Sequence, residues 1–383
     1  METDTQNLRL PCLLFGNSRR DIYIYSAKSY MHSLTSQQLF VLFLILGTAF
    51  AVSFLESGVV GKQVAPLPST ALSEGMGPYI AHIEGLGLPQ VLPQITLVRC
   101  LTESCTTKEV INLGAGHFPL DMILVNDLPI LVYGSTHVPS AEIKYVRCLR
   151  ADCSVKVEKN IPLSLNFYIS GILHITLGSD GFPVMVTSIL GSDNKIHPFF
   201  IKCQDLSCSS WTTTQLDTPS ATAGGFVMSG NGLEVASDGN PVFVYLAGYP
   251  FRLHLVKCGD LYCNSFIDKD VYIFDGLTYS IDLKTVGPLN LVSFVDSVTE
   301  KRMMIFCTTP DCSSSSQFVV GTGLKNVLDS AMVIPPNVNP QNLRPVIVYT
   351  HEIQPYDSAA SLLICGSLIC SPSPSNIIKE LPL

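Results

Sequence analysis

The sequence predicts an all-β fold, a six-bladed β-propeller preceded by a single N-terminal hydrophobic helix. Three observations predict it: cysteine pairs that recur six times, short apolar strands before each pair, and one uncharged apolar segment near the N-terminus. The chain has 383 residues, enough for two or three ordinary domains or for one large repeat architecture. Hydrophobic residues make up 47% of it and charged residues 14%, so we expect most of the chain to fold.

Twelve of the 13 cysteines form pairs with four residues between the two members. The first cysteines of successive pairs are 48, 55, 55, 49 and 58 residues apart. Periods of this size are typical of propeller blades, so we assign residues 73–383 to six repeated units. The pairs are Cys100/Cys105, Cys148/Cys153, Cys203/Cys208, Cys258/Cys263, Cys307/Cys312 and Cys365/Cys370.

Each unit contains the signals of four short strands. An apolar stretch such as ITLVRC or HLVKC ends at the first cysteine, and a strand that begins with proline, such as PILVY or PVFVY, precedes it. Turn signals such as Asn126-Asp127 separate that strand from an earlier apolar run, and a Ser/Thr-rich stretch follows the second cysteine. The fifth unit is degenerate, with Pro288 in the proline position. Four antiparallel strands per unit are what a propeller blade requires.

The repeated unit resembles that of secreted or surface propeller proteins with an SDGNPVxVY motif followed by KCxxxxC. The fourth unit is closest to this pattern, with SDGNPVFVY and then HLVKCGDLYCNS, whereas the first, fifth and sixth units depart from it. The resemblance covers most of the chain after residue 74. It implies a propeller fold and implies no activity.

We expect each cysteine pair to form a disulfide within its own unit. Two strands joined by a four-residue connection place residues i and i+5 opposite one another, at a separation that a disulfide accepts. Zinc is the alternative, but it needs two pairs that converge on one ion, and hairpins on successive blades point apart. Cys12, the thirteenth cysteine, precedes the apolar segment and is expected to be unpaired.

The apolar segment at residues 39–55, LFVLFLILGTAFAVSFL, contains no charged residue. We interpret it as a signal anchor that holds the protein in the membrane, with residues 1–38 as a cytosolic tail and residues 56–72 as a linker. The alternative is a signal peptide whose cleavage after Ala51 releases a secreted protein, with residues 1–38 as an extended n-region or Met31 as the true start. Under both interpretations the repeats leave the cytosol.

Four predicted first strands carry one polar side chain among apolar ones: Asp121, His174, Glu234 and Asp282. Propellers usually bind ligands at one end of a central channel, which the first strand of each blade lines. The first three lie an even number of residues before the aspartate of the following turn, which places their side chains on the same face of their strands. Together they could hold a divalent cation or act as acid and base. The alternative is that a water-filled channel tolerates polar residues without selecting a ligand.

A basic residue stands directly before the first cysteine in four units. We interpret these residues as a solvent-exposed strand face, with aliphatic stems that cover apolar neighbours. The alternative is an anion-binding stripe around one rim. The four residues are Arg99, Arg147, Lys202 and Lys257.

The broad end faces of a propeller and the absence of common catalytic motifs favour a binding module over an enzyme. The net charge is −8, which predicts no nucleic-acid partner. No common catalytic motif occurs in the sequence, and no cofactor or resident metal is expected. We therefore expect an extracytosolic binding or interaction module with a protein or polysaccharide ligand. The alternatives are a hydrolase or lyase at the channel mouth, with or without the help of a metal ion, and a purely structural surface protein.

Overall fold

The computed structural model of the chain describes residues 69–71, 77–84, 92–102, 105–135, 142–163, 169–190, 196–216, 232–247, 251–274, 278–296, 298–322, 327–333, 345–354, 357–364 and 377–382. Every regular element in these ranges is a β-strand. The described ranges include no helix that is long and apolar enough to cross a membrane. The tail predicted at 1–38 and the apolar segment predicted at 39–55 lie outside them.

The strands form six four-stranded sheets, which we number in chain order. Sheet 1 contains β1 (Ser69–Ala71), β2 (Tyr79–Glu84), β3 (Gln94–Cys100) and β4 (Lys108–Ala115). Sheet 2 contains β5 (His117–Val125), β6 (Leu128–Gly134), β7 (Glu142–Cys148) and β8 (Lys156–Pro162). Sheet 3 contains β9 (Ile169–Leu177), β10 (Pro183–Leu190), β11 (Ile196–Cys203) and β12 (Trp211–Gln215). The first strand, β1, lies within the segment predicted as linker.

The second half of the chain repeats the pattern. Sheet 4 contains β13 (Leu233–Val235), β14 (Pro241–Ala247), β15 (Phe251–Cys258) and β16 (Phe266–Phe274). Sheet 5 contains β17 (Thr278–Val286), β18 (Leu289–Asp296), β19 (Lys301–Cys307) and β20 (Ser315–Thr322). Sheet 6 contains β21 (Val327–Val333), β22 (Val346–Gln354), β23 (Asp357–Ile364) and β24 (Ile377–Pro382).

Within each sheet the strands pair antiparallel in chain order. The first strands of successive sheets contact one another, β1 with β5, β5 with β9, β9 with β13, β13 with β17 and β17 with β21. The first strand is therefore the inner strand of each sheet, and the sheets follow one another about a common inner edge. This is a propeller-type arrangement of four-stranded units, as the sequence predicts.

The antiparallel order gives the molecule two different ends. The turn between the first and second strands and the loop between the third and fourth strands lie at one end, which we call the disulfide end. The loops between the second and third strands, and the connections between sheets, lie at the other, which we call the far end. At the disulfide end Asn126 and Asp127 have φ of 51° and 61°, a turn that fits the twist of the hairpin.

Five of the six expected disulfides lie in the described part of the chain, so the predicted pairing is confirmed for them. They close loops that we call disulfide loops 1 to 5, one for each of sheets 1 to 5, with Cα–Cα distances between 4.6 and 4.8 Å. The sixth pair, Cys365 and Cys370, and the single Cys12 lie outside the described residues. The five disulfides are Cys100–Cys105, Cys148–Cys153, Cys203–Cys208, Cys258–Cys263 and Cys307–Cys312.

The geometry expected for these pairs is wrong, because the two cysteines do not face one another on paired strands. The strand partner of the first cysteine lies eight residues later, as Lys108 does for Cys100 and Phe266 for Cys258. The second cysteine precedes the fourth strand and lies in the loop itself. This correction applies to Cys105, Cys153, Cys208, Cys263 and Cys312.

A tight turn, rather than strand pairing, brings the two sulfur atoms of each loop together. The second cysteine has a left-handed backbone, with φ of 52° at Cys105, 54° at Cys263 and 56° at Cys312. Its N–H donates to the carbonyl three residues earlier, as Cys312 N does to Thr309 O at 3.0 Å. The left-handed residue folds the chain back toward the first cysteine before the fourth strand begins.

Two of the basic residues before the cysteines are buried, so the interpretation as a solvent-exposed strand face is wrong for them. The side chain of Lys202 is 1% exposed, and its Nζ lies 2.9 Å from Asp180 Oδ2. Lys257 Nζ lies 2.9 Å from Asp238 Oδ2. Each ammonium also donates to the carbonyl of the following cysteine. The turn aspartates neutralise these lysines, which makes their burial possible.

Arg147 also differs from the expected solvent-exposed residue, because its Nη1 donates a hydrogen bond to Ser207 Oγ of the next sheet at 3.1 Å. Arg99 Nη1 donates to Glu109 Oε2 on the neighbouring strand at 3.1 Å. The four basic residues therefore have different partners and do not form one anion-binding stripe.

In the fifth unit the prediction that Pro288 takes the proline position is wrong. Leu291 pairs with Phe306, the residue before the first cysteine, just as Val242 pairs with Lys257 in sheet 4. Asn290 therefore occupies the proline position. Its Nδ2 donates to Pro310 O in disulfide loop 5 at 2.7 Å. The asparagine can hydrogen-bond the loop, which a proline side chain cannot do.

We expect Asp180→Ala to lower the free energy of unfolding by about 3 kcal/mol, because it leaves the buried Lys202 ammonium without its carboxylate. Lys202→Met removes the buried charge and leaves Asp180, which is partly exposed, in contact with water. It should cost less than about 1 kcal/mol. Urea denaturation of the two variants measures the difference. Equal losses would contradict the assignment of Lys202 as a buried charge that depends on Asp180.

Candidate functional site at the inner strands

The strand register places the polar residues of the inner strands in two neighbouring layers. Asp121, His174 and Asp282 pair with Val132, Val186 and Ser293, which all lie three residues after the proline position of their sheets. Glu234 and Lys284 pair with residues that lie one position after it, Val242 and Leu291. The two layers are two residues apart along the strands, so their side chains lie on the same face.

In the first layer Asp121 and His174 lie side by side on successive sheets. The backbone N–H groups of Met122 and Ile175 donate to the two carboxylate oxygens of Asp121, at 2.8 and 3.0 Å. These two bonds fix the carboxylate. His174 Nδ1 lies 3.6 Å from Asp121 Oδ2, which is longer than a hydrogen bond and close enough to become one through a small movement. The side chains are 10% and 14% exposed.

In the second layer Glu234 and Lys284 form an ion pair between sheets 4 and 5. Burial lowers the pKa of Lys284, but the carboxylates of Glu234, Asp282 and Asp121 outweigh burial and raise the pKa above its usual value. The pair therefore stabilises the fold at neutral pH. The contribution of the Lys284 ammonium is lost as the pH rises through the raised pKa, above the ordinary value of 10.5. The carboxylate of Asp121 in the first layer thus also acts on Lys284.

Asp282 has a different environment from the other three residues predicted for the channel. Its side chain and that of Arg302 are 0% exposed, and Arg302 Nη2 lies 4.0 Å from Asp282 Oδ2. Arg302 Nε also donates to Ser293 Oγ at 3.0 Å. Asp282 is thus a buried charge beside a buried guanidinium, and it contributes to the site by its electrostatic effect on Lys284.

The structure brings the four predicted residues to one inner edge but not into a metal centre. Asp121 contacts His174, whereas Glu234 contacts Lys284 and Asp282 lies beside Arg302. Within the described ranges, no three His, Cys, Asp or Glu side chains form a group that could hold a metal ion. The positive partners of Glu234 and Asp282 explain this, because each occupies a position that a cation would take.

Lys284 is the residue that sequence reasoning did not single out. It lies two residues after Asp282 in SIDLKT, so period-two alternation of the strand places it on the same face. The spacing could have indicated its position. Its partner could not be predicted, because Glu234 lies 50 residues away on another sheet.

Neither a protein-family model nor a curated protein matches the chain. Solved structures match over most of its length. A variant of AofleA from Arthrobotrys oligospora with three arginines changed to alanine has a TM-score of 0.50 and 11% identity, over 84% of this chain and 88% of that one. A GH93 α-L-arabinofuranosidase of Fusarium graminearum, in complex with arabinobiose, has a TM-score of 0.49 and 10% identity, over 83% and 92%.

A PL25 ulvan lyase, a polysaccharide lyase bound to -[GlcA(1-4)Rha3S]-, has a TM-score of 0.48 and 11% identity, over 82% of this chain and 78% of that one. The likeness to the AofleA variant, at 11% identity, indicates a similar fold only. None of these three structures assigns a ligand or a reaction to this chain.

We expect Glu234→Gln to lower the pKa of Lys284, because the substitution removes the nearest carboxylate and leaves the burial unchanged. Acylation of Lys284 as a function of pH, followed by mass spectrometry, measures the change as a midpoint at lower pH. Asp121→Asn is the matched control and should move the midpoint less, since its carboxylate has a smaller effect on the lysine. An unchanged midpoint in Glu234→Gln would show that the ion pair does not form.

Proposed function

We propose that the six sheets close into a six-bladed propeller and that the inner-strand cluster is an acid–base site, which acts on a polyhydroxylated substrate as a hydrolase or lyase. The observation that carries the proposal is the contact between Asp121 and His174. Two backbone N–H groups hold the carboxylate in place, and the imidazole lies 3.6 Å from it. A carboxylate fixed beside a histidine is a common arrangement for proton transfer.

In this proposal His174 is the catalytic residue and Asp121 is its positioning residue. Asp121 accepts the Nδ1–H of the imidazole and stabilises the imidazolium, so Nε2 is the nitrogen that exchanges a proton with the substrate. The 3.6 Å separation is compatible with this role, because catalytic hydrogen bonds are often long before a substrate binds.

Glu234 and Lys284 favour a substrate with neighbouring hydroxyl groups. Both side chains are accessible, at 25% and 30% exposure. The carboxylate accepts hydrogen bonds and the ammonium donates them, whereas each hydroxyl does both. Their charges cancel, so the pair does not select a strongly charged ligand. A carbohydrate has the required chemistry. The arabinofuranosidase and the ulvan lyase also act on carbohydrates, as their names say, but they share only the fold with this chain.

A binding module without turnover is the second candidate. The observation that favours it is the ion pair itself, because Glu234 raises the pKa of Lys284 and the ammonium is then not a free base. Such a pair can hold a sugar while no bond is broken. A polysaccharide is the partner in both candidates, and a protein ligand on one end of the propeller fits only the second.

The compartment that we propose follows from the disulfides. Five local disulfides persist in an oxidising environment, which supports a position outside the cytosol. The apolar segment at 39–55 would anchor the chain there, or would be removed after Ala51 in a secreted form.

We expect His174→Gln in the full chain to lower kcat by at least about 100-fold, because the base is lost. Affinity should change little, because Glu234 and Lys284 remain. A panel of soluble neutral and acidic polysaccharides supplies the substrates. Release of reducing ends reports hydrolysis, absorbance of an unsaturated product reports elimination, and calorimetry reports affinity. His197→Gln is the control, because this histidine lies on β11, away from the inner strand.

Full activity of His174→Gln on a polysaccharide that the wild type cleaves would contradict the acid–base proposal. Polysaccharide binding by the wild type without either product would favour the binding module. A wild type that neither binds nor cleaves the panel would favour the purely structural surface protein.

Ring closure predicts that β1 lies beside β21, as the other inner strands lie beside their neighbours. Benzoylphenylalanine in place of Thr70 on β1 should therefore form a photocrosslink to residues 327–333. The same replacement of Val110, on the outer strand β4, is the control and should give no crosslink to that range. Crosslinks from position 70 to residues of sheet 2 alone would indicate an open arc of sheets.

A further inference from the structure

The disulfide loops contact the preceding sheet as well as their own. Tyr79 on β2 of sheet 1 is 0% exposed, and its hydroxyl donates to Ala151 O in disulfide loop 2 at 3.2 Å. These two residues are 72 positions apart in the chain. The carbonyl of Ala151 is available because the local turn bond of this loop uses Arg150 O instead.

Disulfide loop 3 has the same relation to sheet 2. Tyr145 on β7 is 0% exposed, and its hydroxyl donates to Leu206 O at 2.6 Å. Leu206 and Ala151 both lie three residues after the first cysteine of their loops. Arg147 adds a second bond, to Ser207 Oγ at 3.1 Å.

Disulfide loop 4 is held in a similar way by sheet 3. Thr214 Oγ1 on β12 donates to Tyr262 O of this loop at 3.0 Å. Tyr262 directly precedes Cys263, the left-handed second cysteine of the loop. Three successive loops are thus tied to the sheet before them.

The sulfur atoms are buried in the apolar contact between the two sheets. The disulfide of loop 2 belongs to a core cluster that includes Tyr79, Ala81 and Ile83 of sheet 1. The disulfide of loop 3 belongs to a cluster that includes Ile143 and Tyr145 of sheet 2. Both cysteines of loop 3 are 0% exposed. The preceding sheet therefore covers each of these disulfides.

We propose that disulfide loops 2 and 3 are redox-sensitive locks between successive sheets. In reduction, a thiolate of a dithiol attacks one sulfur, the S–S bond breaks, and the second sulfur leaves as a thiolate that takes up a proton. The second thiol of the reductant then closes its own disulfide and releases the first cysteine. The protein gains two electrons and the dithiol loses them. Because the preceding sheet covers the sulfurs, this attack requires the two sheets to separate first.

In this proposal the rate at which each disulfide is reduced depends on one tyrosine of the preceding sheet. This is Tyr79 for disulfide loop 2 and Tyr145 for disulfide loop 3. Removing a tyrosine hydroxyl leaves the ring in the core and deletes the hydrogen bond to the loop. Separation then becomes easier for that pair of sheets alone. A reduced loop, in turn, no longer holds its carbonyl in place and leaves a buried hydroxyl without a fixed acceptor. Reductant would therefore weaken the packing of sheet against sheet before it unfolds the sheets themselves.

The test is reduction of the full chain by dithiothreitol, with differential alkylation and mass spectrometry to follow each disulfide separately. Tyr145→Phe should raise the reduction rate of Cys203–Cys208 about fivefold, the factor that corresponds to a hydrogen bond of about 1 kcal/mol. The rate for Cys148–Cys153 should stay unchanged in this variant. Tyr79→Phe should give the reverse pattern.

Tyr245→Phe is the matched control, because the hydroxyl of Tyr245 donates to Asp268 Oδ2 within its own sheet at 2.9 Å. It should change the rate of neither Cys148–Cys153 nor Cys203–Cys208. Equal acceleration of all the disulfides in Tyr145→Phe would overturn the proposal, because it would report global unfolding. No change at Cys203–Cys208 would also overturn it. Thermal unfolding of each variant identifies any general loss of stability.

Discussion

The pairing of the second strand with the third, beside each disulfide, is the constraint on which the rest of the structure depends. It sets the residue before the first cysteine opposite the residue after the proline position, as in Val184 with Lys202 and Val242 with Lys257. A shift of one residue would turn a whole strand to the other face. Because the inner strand pairs with the second strand, the same register decides which polar residues meet at the inner edge.

This register also explains how charges are tolerated inside a chain with few of them. Lys202 and Lys257 are buried, yet each lies 2.9 Å from a turn aspartate that the hairpin brings back to it. Lys284 forms an ion pair with Glu234 on the neighbouring sheet, and Arg302 lies beside Asp282. Each of these charges thus has a partner supplied by the repeat geometry, which is the condition under which a charged group can leave water.

The sequence predicted the features that depend on local spacing. The cysteine interval predicted each described disulfide, but not the left-handed turn at residues such as Cys312, because spacing alone does not give a backbone angle. Partners from different units could not be predicted either, since sequence spacing does not say how sheets meet. The pairing of Glu234 with Lys284 belongs to this class. Asn290 was missed for another reason: a proline lies close to its position, and only the strand pairing separates the two.

The disulfide loops and the other connections of the chain differ in how freely they can change in length. Every described disulfide spans a sequence separation of 5, whereas the intervals between first cysteines range from 48 to 58 residues. The variation lies at both ends: at the far end β12 ends at Gln215 and β13 begins at Leu233, and at the disulfide end β21 ends at Val333 and β22 begins at Val346. Insertions there leave the crosslinked hairpins and the inner register untouched. Such a molecule can acquire new recognition surfaces at either end while its frame stays the same.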